Sequence, residues 1–134
     1  MIKDLRCVIF DMDGVIVNTE PLHKNAYFKT FESLNLNVSD KLYHSFVGSS
    51  TLNAFEKLVK HFNLTINPKE LVKKKRHFFK DSFKTDPPLE LIKGVKDIIT
   101  YFYEKEITLV LASSASHNTI NLVNILYQKQ KLML

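Results

Sequence analysis

Asp11 and Asp13, two residues apart and followed by Gly14, are the residues of this chain whose type and spacing could do chemistry. The apolar run Cys7-Val8-Ile9-Phe10 leads directly into them and has the length of a buried parallel strand. Alternate side chains of an extended segment share a face, so both carboxylates point into one space if strand geometry persists as far as Asp13. Gly14 then lets the chain turn away. Open α/β sheets hold ligands at the carboxyl ends of their strands, and the pair falls at such an end. The chemistry two acids support there is phosphoryl transfer. Asp11 is read as the nucleophile that attacks phosphorus to give an aspartyl phosphate, and as a hard oxygen ligand for Mg²⁺. Asp13 is read as the acid/base that protonates the leaving oxygen and later deprotonates water. A bare Asp-x-Asp-Gly also describes a turn with two solvated acids, but the strand ahead of it and the helix start behind it favour a site.

A second apolar segment, Ile107–Ala112, repeats the pattern and ends in Ser113-Ser114-Ala115-Ser116. The Ser113 hydroxyl and the N–H groups of this loop can hold phosphate oxygens beside Asp11, although serines here can also simply cap the next helix.

The elements that must position these groups are legible from caps and periodicity. Residues 5–10 read as the first strand. Thr19-Glu20-Pro21 supplies a cap, an acidic first-turn residue and an early proline, opening a helix to about Leu34 with Leu22, Ala26, Phe31 and Leu34 inward. Ser39-Asp40 opens a short helix that stops at Gly48. Ser49 or Ser50 caps a third, with Leu52, Phe55, Leu58, Val59 and Phe62 at helical spacing, and Asn67-Pro68 opens a fourth that runs to about Phe83. Thr85-Asp86-Pro87-Pro88 ends the series, because paired prolines do not continue a helix. Gly94 precedes a helix with Val95, Ile98, Ile99 and Phe102 inward, and another with Ile120, Val123 and Leu126 follows the serine loop. The expected fold is α/β: an incomplete, Rossmann-like parallel-sheet core from residues 1–16 and 86–134, with a four-helix cap inserted at 17–85.

The 134 residues are 45% hydrophobic, include ten Phe and carry a formal charge of +5. This composition excludes a disordered or collagen-like chain. The longest apolar runs fall far short of a membrane span, and the N-terminal residues lack a secretory pattern, so no membrane partner is expected. The one cysteine, Cys7, has no internal disulfide partner, which fits a cytoplasmic location; inside the strand it reads as a small buried hydrophobe. Lys73-Lys74-Lys75-Arg76 invites a nucleic-acid reading. Most of these cations fall on one solvated face of a helix whose apolar residues are Leu71, Val72, Phe78, Phe79 and Phe83, and no aromatic and basic residues interleave as a stacking platform. No nucleic acid is therefore expected as a partner.

On the segments Phe10–His23, Gly48-Ser49-Ser50 and Leu109–Ser116, the chain resembles the haloacid dehalogenase-like superfamily, specifically its β-phosphoglucomutase-like branch with a helical cap after the first motif. The resemblance implies that Asp11 is nucleophile and Mg²⁺ ligand, and Asp13 acid/base and ligand through its backbone carbonyl. It makes Ser113 the phosphate donor of the second motif, with Ser114 and Ala115 offering backbone contacts. It also implies that His23, with Thr19 at the hinge, couples cap closure to the acid/base, that Lys75 reaches toward the substrate, and that Gly48 and Ser49 belong to the substrate loop. Thr51 stands where sugar-phosphate mutases carry an arginine for a second phosphate, so a phosphatase of a small phosphorylated metabolite is expected ahead of a mutase. A dehalogenase is disfavoured because displacing halide needs no acid such as Asp13.

Family members continue beyond the length of this chain, supplying a lysine that pins the phosphate and an acidic pair for Mg²⁺, whereas Tyr127–Leu134 match nothing expected there. The expectation is a truncated or frame-shifted relative with two strands of a sheet that needs about five. The other reading is a non-catalytic remnant or interaction module whose exposed sheet edges self-associate or take up a partner.

Overall fold

The computed structural model describes residues 4–85, 89–121 and 123. The chain packs as two compact units, Met1–Pro21 with Pro87–Leu134 and Leu22–Asp86.

In the first unit, strands β1 (Cys7–Asp11) and β2 (Thr108–Ala112) form a two-stranded parallel sheet, in register from Cys7 opposite Thr108 to Asp11 opposite Ala112. Branched and aromatic residues make both segments extended. Helix α5 (Val95–Glu104) packs on β2, and Gly94, at φ +87, gives the left-handed backbone from which it starts. Strand geometry does not persist beyond Asp11. Met12 turns inward at 1% exposure, and its carbonyl accepts from the N–H groups of Ile16 and Val17 at 3.0 and 3.1 Å. Gly14 takes φ +76 and donates to the Val17 carbonyl at 2.7 Å. Val17, fully buried, bridges both Asp13 and Leu91, which ties the turn to the segment leading into α5.

Two expected burials fail in this unit. Cys7 is exposed rather than buried, because on its face of the sheet Ile9 is also bare, at 66% exposure. Ile98 is 45% exposed, so α5 presents Val95 inward but not the full expected stripe. Both follow from the sheet having two strands among the described residues, too narrow a surface to cover an apolar helix face. The expected strand stretch 5–10 and the expected start at Ile107 each move by one or two residues, and Glu106 takes φ +55 just before β2. Leu126, Tyr127–Leu134 and Asp86-Pro87-Pro88 lie outside the described residues.

The second unit is helical. α1 (Glu20–Glu32), which begins in the first unit, α2 (Asp40–Phe46), α3 (Thr51–His61) and α4 (Pro68–Thr85) enclose a core of Tyr27, Phe31, Val38, Tyr43, Phe46, Ala54, Phe55, Leu58, Leu71 and Val72. Ser39 and Ser50 cap α2 and α3 by accepting from Leu42 N–H and Asn53 N–H, and Asn67 accepts from Lys69 N–H at the start of α4. α1 ends two residues before Leu34 because Asn35 takes a left-handed conformation at φ +56; Asn63 does the same after α3. Within this core the aromatic rings meet tilted or edge-on, Tyr27 with Tyr43 at 5.5 Å and with Phe55 at 5.3 Å between centroids. Among the described residues no helix is long and apolar enough to cross a membrane.

Phe55 is fully buried at the centre of these rings. Phe55→Ala is expected to destabilise the helical unit by about 3–5 kcal/mol in urea unfolding followed by circular dichroism, whereas Ile98→Ser on the exposed face of α5 shifts unfolding by less than about 0.5 kcal/mol.

Candidate functional site

Parallel pairing in register puts the carboxyl ends of β1 and β2 side by side, so the turn after Asp11 and the loop after Ala112 leave the sheet together. Asp11 is the last residue of β1 and is exposed. Its Oδ1 accepts from Met12 N–H at 2.8 Å, which fixes the carboxylate's orientation, and its Oδ2 has no partner among the described residues. Asp13 is half-buried, and its Oδ1 accepts from the hydroxyl of Thr19 at 2.6 Å. Thr19 is 2% exposed and directly precedes α1, and the hydroxyl of this expected helix cap donates to Asp13. No hydrogen bond reaches the Asp13 carbonyl among the described residues.

In the neighbouring loop, Ser113 Oγ accepts from Ala115 N–H at 3.0 Å, a short-range turn that holds the oxygen and leaves the hydroxyl proton available to donate. Ser116, not Ser113, caps the helical turn that follows: its Oγ accepts from Thr119 N–H at 3.3 Å. The two roles open to the serine loop are thus divided between two serines. Asp11, Asp13, Ser113, Ser114 and Ala115 all lie in the first unit at this one end of the sheet.

In the helical unit the structure joins His23 and Lys75. Lys75 Nζ lies 2.8 Å from His23 Nδ1, and it sits 5.0 Å from the Tyr27 ring centroid and 5.1 Å from that of Phe79. His23 stacks on Phe79 with centroids 4.2 Å apart and planes 9° from parallel. Lys75 is 5% exposed, so it does not share the solvated face of Lys73 and Arg76. The reason is helical register: Leu71, Lys75, Phe79 and Ser82 recur at spacings of four, four and three, and all four are buried. That signal was present in the sequence and was masked by the run of cations around it. A buried ammonium is tolerable where ring faces and a nitrogen lone pair replace water. Gly48 and Ser49 occupy the exposed turn between α2 and α3, with Gly48 at φ +113, and no hydrogen bond among the described residues links them to the His23–Lys75 pair.

The chain matches the haloacid dehalogenase-like hydrolase family over residues 8–130, and it belongs to that family. It is similar to the phosphorylated carbohydrates phosphatase of Thermotoga maritima, 28% identical over 114 residues that make up 82% of this chain and 50% of that protein. Among solved structures, a provisionally assigned beta-phosphoglucomutase from Thermotoga maritima superposes with a TM-score of 0.74 at 25% identity, covering 93% of this chain and 57% of the other. The HAD-hydrolase YfnB from Bacillus subtilis, bound to magnesium, superposes with a TM-score of 0.67 at 18% identity, covering 96% of this chain and 61% of its own. The fold is the Rossmann-like fold of this family, and the chain spans half the length of the curated phosphatase it matches.

Two outcomes test the local geometry. Thr19→Val, which keeps the shape and deletes the hydroxyl, is expected to lower stability by about 1–2 kcal/mol in chemical denaturation, because Asp13 loses its buried donor. When Lys75 carries its charge, His23 Nδ1 must accept, so the ring proton resides on Nε2. A ¹⁵N–¹H long-range spectrum at neutral pH is expected to show that tautomer alone, with the second appearing in Lys75→Met.

Proposed function

We propose that this chain carries the reacting aspartates of a Mg²⁺-dependent phosphatase acting on a small phosphorylated metabolite through an aspartyl phosphate. The observation that carries this reading is the in-register pairing of β1 with β2, which brings the Asp11–Gly14 turn and the Ser113–Ala115 loop to the same end of the sheet. Family membership and the phosphatase relative support the reaction class, and that relative's action on phosphorylated carbohydrates, as its name states it, supports the substrate class.

The residues at this end fit Mg²⁺. The Asp11 carboxylate and the Asp13 carbonyl, to which no hydrogen bond is made among the described residues, are hard oxygen donors that would hold it. Two such donors leave the rest of the coordination to water and substrate, which Mg²⁺ accepts because it usually keeps several waters. When bound, Mg²⁺ neutralises charge on the phosphoryl oxygens. The magnesium-bound structural neighbour is consistent with that assignment.

The chain's own groups divide the work as follows. The unpartnered Oδ2 of Asp11 attacks phosphorus; the P–O bond to the leaving group breaks, and the leaving oxygen takes a proton from Asp13. Water then loses a proton to Asp13 and attacks the aspartyl phosphate, releasing phosphate and restoring the Asp11 carboxylate. Thr19 holds Oδ1 of Asp13, which leaves Oδ2 as the atom that carries the proton. The Ser113 hydroxyl and the N–H groups of Ser114 and Ala115 donate to the phosphoryl oxygens. In the helical unit, His23, Lys75, Gly48 and Ser49 are the substrate-side groups, by resemblance to the family. Thr51, the first residue of α3, brings no cation to the loop where the sugar-phosphate mutases grip a second phosphate, which favours a phosphatase over a mutase.

Purified chain incubated with p-nitrophenyl phosphate and Mg²⁺ is expected to release p-nitrophenol. Chelation or Asp11→Asn should abolish release, and Asp13→Asn should lower it by about 10²–10⁴-fold. Absence of turnover, or turnover that survives Asp11→Asn, refutes the proposal.

A further inference from the structure

The charge of the chain is not evenly shared. The helical unit, Leu22–Asp86, holds twelve Lys and Arg against six Asp and Glu, so the whole formal excess of +5 and one charge more reside there. Within that unit α2 and α3 border an open surface depression of about 410 Å³ lined by Ser45, Phe46, Lys57, Lys60 and His61. Lys57, Lys60 and His61 lie at i, i+3 and i+4 of α3, the spacing that puts three side chains on one helix face. No carboxylate lines the depression, and neither Lys57 nor Lys60 has an ion-pair partner among the described residues. By contrast Lys24 is paired with Asp40 at 2.9 Å in the same unit. Ser45 donates its hydroxyl to the Leu42 carbonyl at 2.6 Å, which fixes Oγ on the wall of the depression. The His61 ring stands edge-on to Phe46, which is 6% exposed, and to Phe62, with centroids 5.6 and 4.8 Å apart, so the imidazole is held in place by two rings.

Like charges three residues apart repel. The negative end of α3 accounts for cations at Lys60 and His61, which lie in its last turn, but Lys57 lies a turn earlier, beyond the reach of that effect. Two ammonium groups without an ion-pair partner, a positioned imidazole and no acid among the described lining residues are complementary to a compact, multiply charged oxyanion. We propose that the depression between α2 and α3 is a binding site for a phosphate-type oxyanion, either inorganic phosphate or pyrophosphate or the phosphoryl group of a metabolite. It is formed entirely by residues of the helical unit and uses none of the groups assigned to phosphoryl transfer. Lys57 and Lys60 supply the charge, and His61 supplies a directed ring nitrogen.

The test is titration of the full chain with pyrophosphate, in the absence of divalent metal and at low salt, followed by amide chemical shifts. The expected result is a saturable shift of Ser45, Phe46, Lys57, Lys60 and His61. Lys57→Gln/Lys60→Gln should weaken the affinity at least about tenfold, while Lys73→Gln/Arg76→Gln, on the exposed face of α4, leaves it unchanged. Repeating the titration with inorganic phosphate and with a sugar monophosphate distinguishes the sources: equal affinity per phosphoryl group identifies the bare anion, and tighter binding of the ester identifies a metabolite. The proposal is overturned if shifts centre on Asp11–Gly14 and Ser113–Ala115. It is equally overturned if they spread over the cations of α4 and both double variants bind alike, or if no saturable shift occurs.

Discussion

The pairing of two short parallel strands is the constraint on which the rest of the first unit depends. Because Asp11 faces Ala112 across the ladder, the segment that ends β1 and the segment that ends β2 emerge as neighbours. A slip of one residue would turn every side chain to the opposite face and separate the aspartate turn from Ser113. The turn itself is set by two carbonyls: that of Met12 collects the N–H groups of Ile16 and Val17, and that of Val17 accepts from Gly14 N–H. Gly14 is required there because its φ is +76. The backbone therefore fixes where Asp11 and Asp13 can be before any side chain is considered, and Thr19 and Met12 N–H then hold one carboxylate oxygen of each.

The helical unit is organised by rings rather than by charge. Tyr27 touches Phe31, Tyr43 and Phe55, so this one side chain of α1 reaches both α2 and α3. The same Tyr27 offers its ring to the Lys75 ammonium from α4. A residue of the core thereby also forms part of the setting of the His23–Lys75 pair, which couples the packing of this unit to the one buried cation described in it.

Much of this was legible in the sequence, for definite reasons. Ser39, Ser50 and Asn67 cap helices as their types predict, since a short side-chain oxygen beside free N–H groups has few better uses. The two strands and the order of elements follow from branched apolar runs bounded by turn chemistry. What was not legible depends on how side chains are placed rather than on their type. Cys7 and Ile98 look like core residues by type and spacing, yet the sheet beside them is too narrow to cover both faces. Lys75 looks like one member of a basic stripe, because the cations around it mask the register with Leu71 and Phe79 that puts it inside. Thr19 looks like a helix cap, and nothing in its type says that its hydroxyl donates to Asp13, six residues earlier. Ser116 and Ser113 could not be told apart by type alone, and the loop conformation assigns each its partner.

The bare face that carries Ile9, at 66% exposure, and Val110, at 42%, has a practical consequence for anyone handling the molecule. Uncovered aliphatic side chains on an extended ladder are adhesive, and adhesion rises with concentration. These two side chains, which take no part in the proposed chemistry, are therefore expected to lower the concentration that the polypeptide tolerates in solution.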